Sequence, residues 1–198
     1  MFVTNHALSG ALIGRALKGR PVAAFVAGMA SHLLLDTVPH WGCDTERPGG
    51  PEKFYAAAKK DGLLGLAAIA VGALAVERSV RAATLAGMAG AVLLDLDKPT
   101  QHFFNVNPFP QVIQRFHSRV QNESPQGLPN ELRFGFAFTL ANVVSTVMAR
   151  GGLEAYRKDS LHRLDSARTT VFLRLGAGGP GGLRNASQTP ASGCSPKS

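Results

Sequence analysis

The chain has 198 residues, enough for one domain with a sizeable core, and is 45% hydrophobic but only 17% charged, against about a quarter charged in ordinary soluble domains. That deficit predicts a body that is deeply buried or embedded in a membrane. Of the net charge of +8, residues 1–149 hold 13 basic and 10 acidic side chains and residues 150–198 hold 8 and 3, so most of the excess belongs to the C-terminal stretch. No basic stripe interleaved with aromatics runs through the body, which argues against nucleic acid as a partner. A basic tail beside an apolar body suits an anionic membrane surface instead. Two cysteines, Cys43 and Cys194, support neither a disulfide framework nor a cysteine zinc site.

The first apolar run is followed, not preceded, by Arg15, Lys18 and Arg20, the reverse of a secretory signal, and it is read as structure. Thr4 or Asn5 can cap a first helix through "HALSGALIGRAL", which Gly19 ends. Pro21 then suits the opening position of a second helix, "PVAAFVAGMASHLLLDTV", which Pro39 stops. After a Gly/Pro/charged loop, a third helix covers "KFYAAAKKDGLLGLAAIAVGALAVE" and a fourth "RAATLAGMAGAVLLDL". The prolines and asparagines of "DKPTQHFFNVNPFP" predict a loop. A polar, water-facing helix, "QVIQRFHSRVQ", precedes a last apolar helix that begins near Pro129.

No strand-like alternation is sustained, so the expected fold is an all-α bundle of five to six helices over residues 1–150. Residues 151–198 form a basic tail in which "LEAYRKDSLHRLDSAR" is weakly amphipathic and "GAGGPGGLRNASQTPASGCSPKS" lacks the apolar residues to offset ordering entropy. The uninterrupted apolar runs, Gly62 to Val76, Ala82 to Leu94 and Phe134 to Ala149, fall short of the roughly 18 to 20 residues that span a bilayer unaided. They are nevertheless apolar on every face, and a chain of this length cannot hide four such helices within itself. Gly10 with Gly14, and Gly87 with Ala91, allow close helix approach of the kind membrane bundles use. The expectation is a multi-pass protein of the cell membrane, with a soluble cytoplasmic bundle as the alternative.

The chemistry-bearing residues gather in the same region. In "SHLLLDTVPHW", His32, Asp36 and His40 recur every four residues, which stacks His32 and Asp36 on one helix face. His6 lies in the first turn of the first helix, Asp61 opens the apolar half of the third, and "LLDLDKP" puts Asp95 and Asp97 at the end of the fourth. His102 and His117 follow. Imidazole and carboxylate are ligands for zinc, manganese or iron, and a mixed set of this size can hold two ions. Two ions would polarise a phosphoryl oxygen and lower the pKa of a water. The plain readings are a buried His–Asp hydrogen bond for His32 and Asp36, an N-terminal charge for Asp61, and capping or surface roles for His6, His102 and His117. Asp is a poor helix terminator, because the dipole there opposes negative charge, which favours function for Asp95 and Asp97.

The segments "TNHALSGALIG", "AFVAGMASHLLLDTVPHW", "DGLLG" and "GAVLLDLDKP" resemble the bacterial predicted membrane-bound metal-dependent hydrolases, a group in turn similar to zinc-dependent phospholipase C. The resemblance covers roughly residues 3 to 125. It implies that His6, His32, Asp36, His40, Asp95 and Asp97 are metal ligands or the groups that orient them. At His102 and His117, where the hydrolases show a denser His-rich stretch, this chain has "FFNVNPFPQVIQRFHSRVQNESP".

Taken together, the residues predict divalent metal, zinc first and manganese or iron as alternatives, bound by His6, His32, Asp36, His40, Asp95, Asp97, His102 and His117. The expected reaction is hydrolysis of a phosphoester, a small molecule or a lipid, with Asp36 and Asp61 as the catalytic carboxylates. Two rivals stand beside it: a non-catalytic membrane protein with an intramembrane His/Asp ion or proton path, and a soluble bundle with a structural polar core.

Overall fold

The computed structural model describes residues 1–42 and 48–176; Cys43 and Cys194 lie outside them. The chain divides into two compact units, Met1–Arg150 and Gly151–Ser198. Among the described residues it is almost wholly helical: α1 (Val3–Ala16), α2 (Pro21–Asp36), α3 (Gly50–Ala75), α4 (Arg78–Val92), α5 (Asp97–Phe104), α6 (Gln111–Val120) and α7 (Leu128–Gly176). The all-α expectation holds. In the second unit the described residues, 151–176, are helical. The stretch expected from its composition to be disordered starts at Gly176, which ends α7, and the rest of it lies outside the described residues.

Three helices, α1, α2 and α4, pack against one another through small residues. A Cβ added to Gly10 would strike the backbone of Gly87, one on Gly14 the backbone of Ala83, and one on Gly28 the carbonyl of Gly87. Gly10 and Gly14, Ala24 and Gly28, and Ala83, Gly87 and Ala91 are each four apart in sequence. Each set therefore forms a flat stripe that lets two backbones touch. The fully buried apolar side chains are correspondingly small, Ala7, Ala24, Ala83 and Ala91, with Met88 the exception.

Many of the large apolar side chains lie outside. Leu34 is 70% exposed, Leu74 80% and Phe136 72%, while His6, His32, Asp36, His40, Thr84 and Glu131 are sealed within. Two helical stretches, Arg78–Gln101 and Pro125–Leu164, are long and apolar enough to cross a bilayer, and the apolar window of the second buries none of its residues. Polar side chains tie α7 to α1: Arg15 donates to the Asn142 carbonyl and to Thr146 Oγ1, at 3.2 and 2.8 Å, and Asn142 Nδ2 donates to the Leu8 carbonyl at 3.0 Å.

Several local expectations need correction. α1 begins at Val3, ahead of Thr4 and Asn5, and neither residue is its cap. Its first amides are satisfied from α3, where Asp61 accepts from Val3 N at 2.6 Å and Thr4 N at 3.1 Å. The supposed loop after Asp97 opens with a helix. Pro99 falls in the first turn of α5, where its missing N–H costs nothing, and Asn105 in the left-handed conformation (φ 53°) closes it. Asp97 therefore stands at a helix N-terminus, where the dipole favours it, not at a C-terminus.

Strand structure among the described residues is a single two-residue parallel bridge, β1 (His40–Trp41) to β2 (Glu123–Ser124), with His40 opposite Glu123. It is extended by Asn122 N donating to the Asp36 carbonyl at 2.9 Å and His40 N donating to the Asn122 carbonyl at 3.0 Å. This stitch ties the end of α2 to the segment that follows α6, and so fixes α6 over α2.

Candidate metal centre

Four elements deliver the cluster. α1 brings His6 and α2 brings His32 and Asp36. The 3₁₀ turn Leu93–Leu96 brings Asp95, and α6 brings His117. All five are buried. Asp36 is the hub. Its Oδ1 faces His6 Nε2 at 3.1 Å and the Met1 amino group at 2.7 Å, and its Oδ2 faces His32 Nε2 at 3.1 Å and His117 Nε2 at 3.3 Å. The His6 and His32 rings stack with centroids 4.0 Å apart. Metal-ligating atoms converge in two overlapping sets, His6 with His32 and Asp36, and His32 with Asp95 and His117.

His32 is oriented for a ligand's task. Its Nδ1 lies 2.7 Å from the Ala91 carbonyl, and a carbonyl only accepts, so Nδ1 carries the hydrogen and Nε2 turns its lone pair into the cluster. That Nε2 is 2.9 Å from His117 Nε2. Two imidazole nitrogens that close need a hydrogen or a metal ion between their lone pairs. Without metal the hydrogen is one on His117, which then donates to His32: burial pulls this imidazole down, but the carboxylates of Asp36, Asp97 and Asp95 outweigh it and raise it to about 9. A metal ion fits the same place. His32 Nε2, His117 Nε2 and Asp36 Oδ2 form a triangle with sides of 2.9, 3.1 and 3.3 Å. Ligand atoms about 2.1 Å from a tetrahedral ion sit roughly 3.4 Å apart, so small outward shifts suffice.

A second sign of cation affinity is what remains unsatisfied. Asp95 Oδ2 is buried and has no hydrogen-bond donor among the described residues; His6 Nε2 is 3.8 Å and His32 Nδ1 4.0 Å away. Its other oxygen pairs with Lys98 Nζ at 3.1 Å. A buried carboxylate oxygen without a donor is costly unless a cation reaches it.

The remaining sequence candidates fall into place around this core. Asp97 Oδ2 faces His117 Nδ1 at 3.8 Å, beyond hydrogen-bond reach. His40 is buried but stands outside the two ligand sets; its Nδ1 donates to the Val38 carbonyl at 2.8 Å, and its Nε2 is unpartnered among the described residues. Burial lowers the His40 imidazole below its usual range. The His102 side chain lies outside what the structure describes. His117, expected on a water-facing helix, is 3% exposed, because α6 turns that one face to the bundle and its other residues outward. Asp61, expected as a catalytic carboxylate, is given a different position. It lies outside both ligand sets and spends its oxygens on Val3 N, Thr4 N and Thr4 Oγ1.

Two groups escaped the sequence reading. Lys98, three residues after Asp95, had its i,i+3 spacing as a signal. Glu131 accepts from Phe2 N at 3.1 and 3.0 Å and from Asn5 Nδ2 at 2.7 Å; only its place at the start of an apolar helix set it apart. Compared with protein-family models, with curated proteins and with solved structures, the chain matches none of them.

Proposed function

We propose that the protein is a multi-pass membrane protein and a metal-dependent hydrolase of phosphoesters, with His32, His117 and Asp36 holding a divalent ion and His6 and Asp95 available to a second. The observation that carries this reading is Asp36. One fully buried carboxylate within reach of three imidazoles, on a helix whose other buried residues are Ala24, Gly28 and His32, is a costly arrangement that packing alone does not require. Zinc suits a set of nitrogen and carboxylate donors best, with manganese and iron as alternatives. Bound there, the ion would polarise the phosphoryl oxygen and make water acidic enough to react near neutral pH.

The chain's own residues supply the rest. The water oxygen forms the new P–O bond and the P–O bond to the alcohol breaks. With one ion bound, Asp95 Oδ2, which has no competing donor, takes the water proton and returns it to the departing alkoxide. Lys98 Nζ, beside Asp95 and 3.7 Å from Glu123 Oε1, offers positive charge to a phosphoryl oxygen. Asp36 orients His6, His32 and His117 at once, and Ala91 O fixes the tautomer of His32.

The membrane assignment rests on the sorting of side chains, large apolar outside and polar inside. The test of activity is turnover of p-nitrophenyl phosphate and bis(p-nitrophenyl) phosphate by zinc- or manganese-loaded protein, beside Asp95→Asn and Asp36→Asn variants of unchanged helix content. Metal-dependent turnover that falls at least a hundredfold in both variants is expected. Stoichiometric metal without turnover of either ester would favour the ion-path alternative.

A further inference from the structure

One cavity in the first unit touches the cluster. It measures about 640 Å³, within the roughly 300–1,000 Å³ of small-molecule sites. Its principal wall is one face of α3. Tyr55, Ala58, Gly62, Leu66 and Ile69 follow at spacings of three, four, four and three, so they line up along the helix. Val92 of α4 lines it too, and the chain then passes directly to Asp95 and Lys98, which line the cavity as well. Asp95 thus belongs to both the cavity wall and the metal-ligand set. An apolar trough that reaches a cation-binding, lysine-bearing cluster matches a molecule with an alkyl chain at one end and an anion at the other.

We infer that this cavity is the chain-binding subsite of the metal centre, and that the substrate is a membrane phosphoester whose alkyl chain lies along α3 while its phosphate meets Lys98 and the cluster. The inference rests on the hydrolase reading above and narrows its substrate class. Gly62 is a consequence of it. A Cβ at that position meets nothing within 4 Å, and glycine is a poor helix former, so packing gives no cause for a missing side chain. In the trough, its absence leaves width for the chain. Lys59, which also lines the cavity, adds a second cationic group for an anionic amphiphile.

The test uses zinc-loaded protein in nanodiscs of a phosphate-free galactolipid and a series of alkylphosphonates from methyl to dodecyl. For wild type, affinity should rise roughly two- to fourfold per added methylene, as burial of a methylene allows, and level off when the trough is full. Gly62→Phe and, independently, Leu66→Trp should abolish that rise while leaving methylphosphonate affinity and metal content unchanged. Retention of the same chain-length slope in both variants would mean that the bilayer, not the cavity, takes the chain, and would overturn the inference alone. Failure of methylphosphonate to bind loaded wild-type protein would instead remove the phosphoester reading, and the inference with it.

Discussion

At the scale of single residues, the account turns on protons and metal competing for one set of atoms. His117 holds a proton up to about pH 9 in the metal-free protein, whereas an imidazole ligates only when neutral. Metal binding near pH 7 should therefore release a proton from His117, and affinity should climb with pH until about 9. Titration calorimetry in buffers of different ionisation enthalpy measures the released proton directly. The stability of the metal-free protein should run the other way. A raised folded-state pKa gives a contribution that is whole below the unfolded value of 6.5 and lost as pH rises through about 9, so its Tm should fall across that window.

Asp61 separates this account from the expectation that it is catalytic. Asp61→Ala should cost about 1–2 kcal/mol, the value of a helix cap, with full metal content and turnover retained; thermal unfolding and elemental analysis check both. The pairing of His32 with Asp36 was legible from the sequence because its chemistry and its spacing agree. The role of Asp61 was not, since the amides it caps lie 58 and 57 residues away in the chain. Nothing local in "KDGLLG" marks them.

At the scale of elements, glycine decides how closely α1, α2 and α4 approach, and so whether His6, His32 and Asp95 can meet. Gly87→Ala places a Cβ against the Gly10 carbonyl and should cost roughly 1–3 kcal/mol, as overpacking does. Gly62→Ala, facing open space, should be neutral or stabilise by up to about 1 kcal/mol through helix propensity. Thermal unfolding of the pair, with metal content measured in each, checks the prediction. The helices themselves were readable from apolar runs and their breaks, α6 almost to the residue. α5 was not, because proline and asparagine break a helix in most places but here stand in the first turn and at the C-cap, where helices accept them. The β1–β2 stitch escaped notice for a related reason. Two residues are too few to show a period, yet they hold α6 and its His117 against α2.

At the scale of the whole molecule, the proposed membrane setting rests on the polar side chains sealed inside the first unit and the large apolar ones exposed on it. Most of the protein expressed in bacterial cells should stay with the membrane fraction through alkaline carbonate washing and leave it only in detergent. Recovery in the soluble fraction without detergent would support the soluble bundle. In hydrocarbon, the small-residue stripes give van der Waals contact, and the ties of Arg15 and Asn142 between α1 and α7 satisfy groups that would otherwise be unpaired. Such a bundle draws little on large side chains for its cohesion. Its interior is left for the His/Asp cluster, whose members come from distant parts of the chain.

The claim on which everything else depends is that the cluster around Asp36 binds a divalent ion. The direct measurement is metal content by elemental mass spectrometry of detergent-purified protein, wild type beside His32→Ala/Asp36→Ala, with helix content of both followed by circular dichroism. The account predicts zinc, manganese or iron at one to two ions per chain in wild type and none in an equally helical variant. Wild-type protein that holds no metal after incubation with these ions would contradict it, and would leave His6, His32, Asp36, Asp95 and His117 as a hydrogen-bonded core.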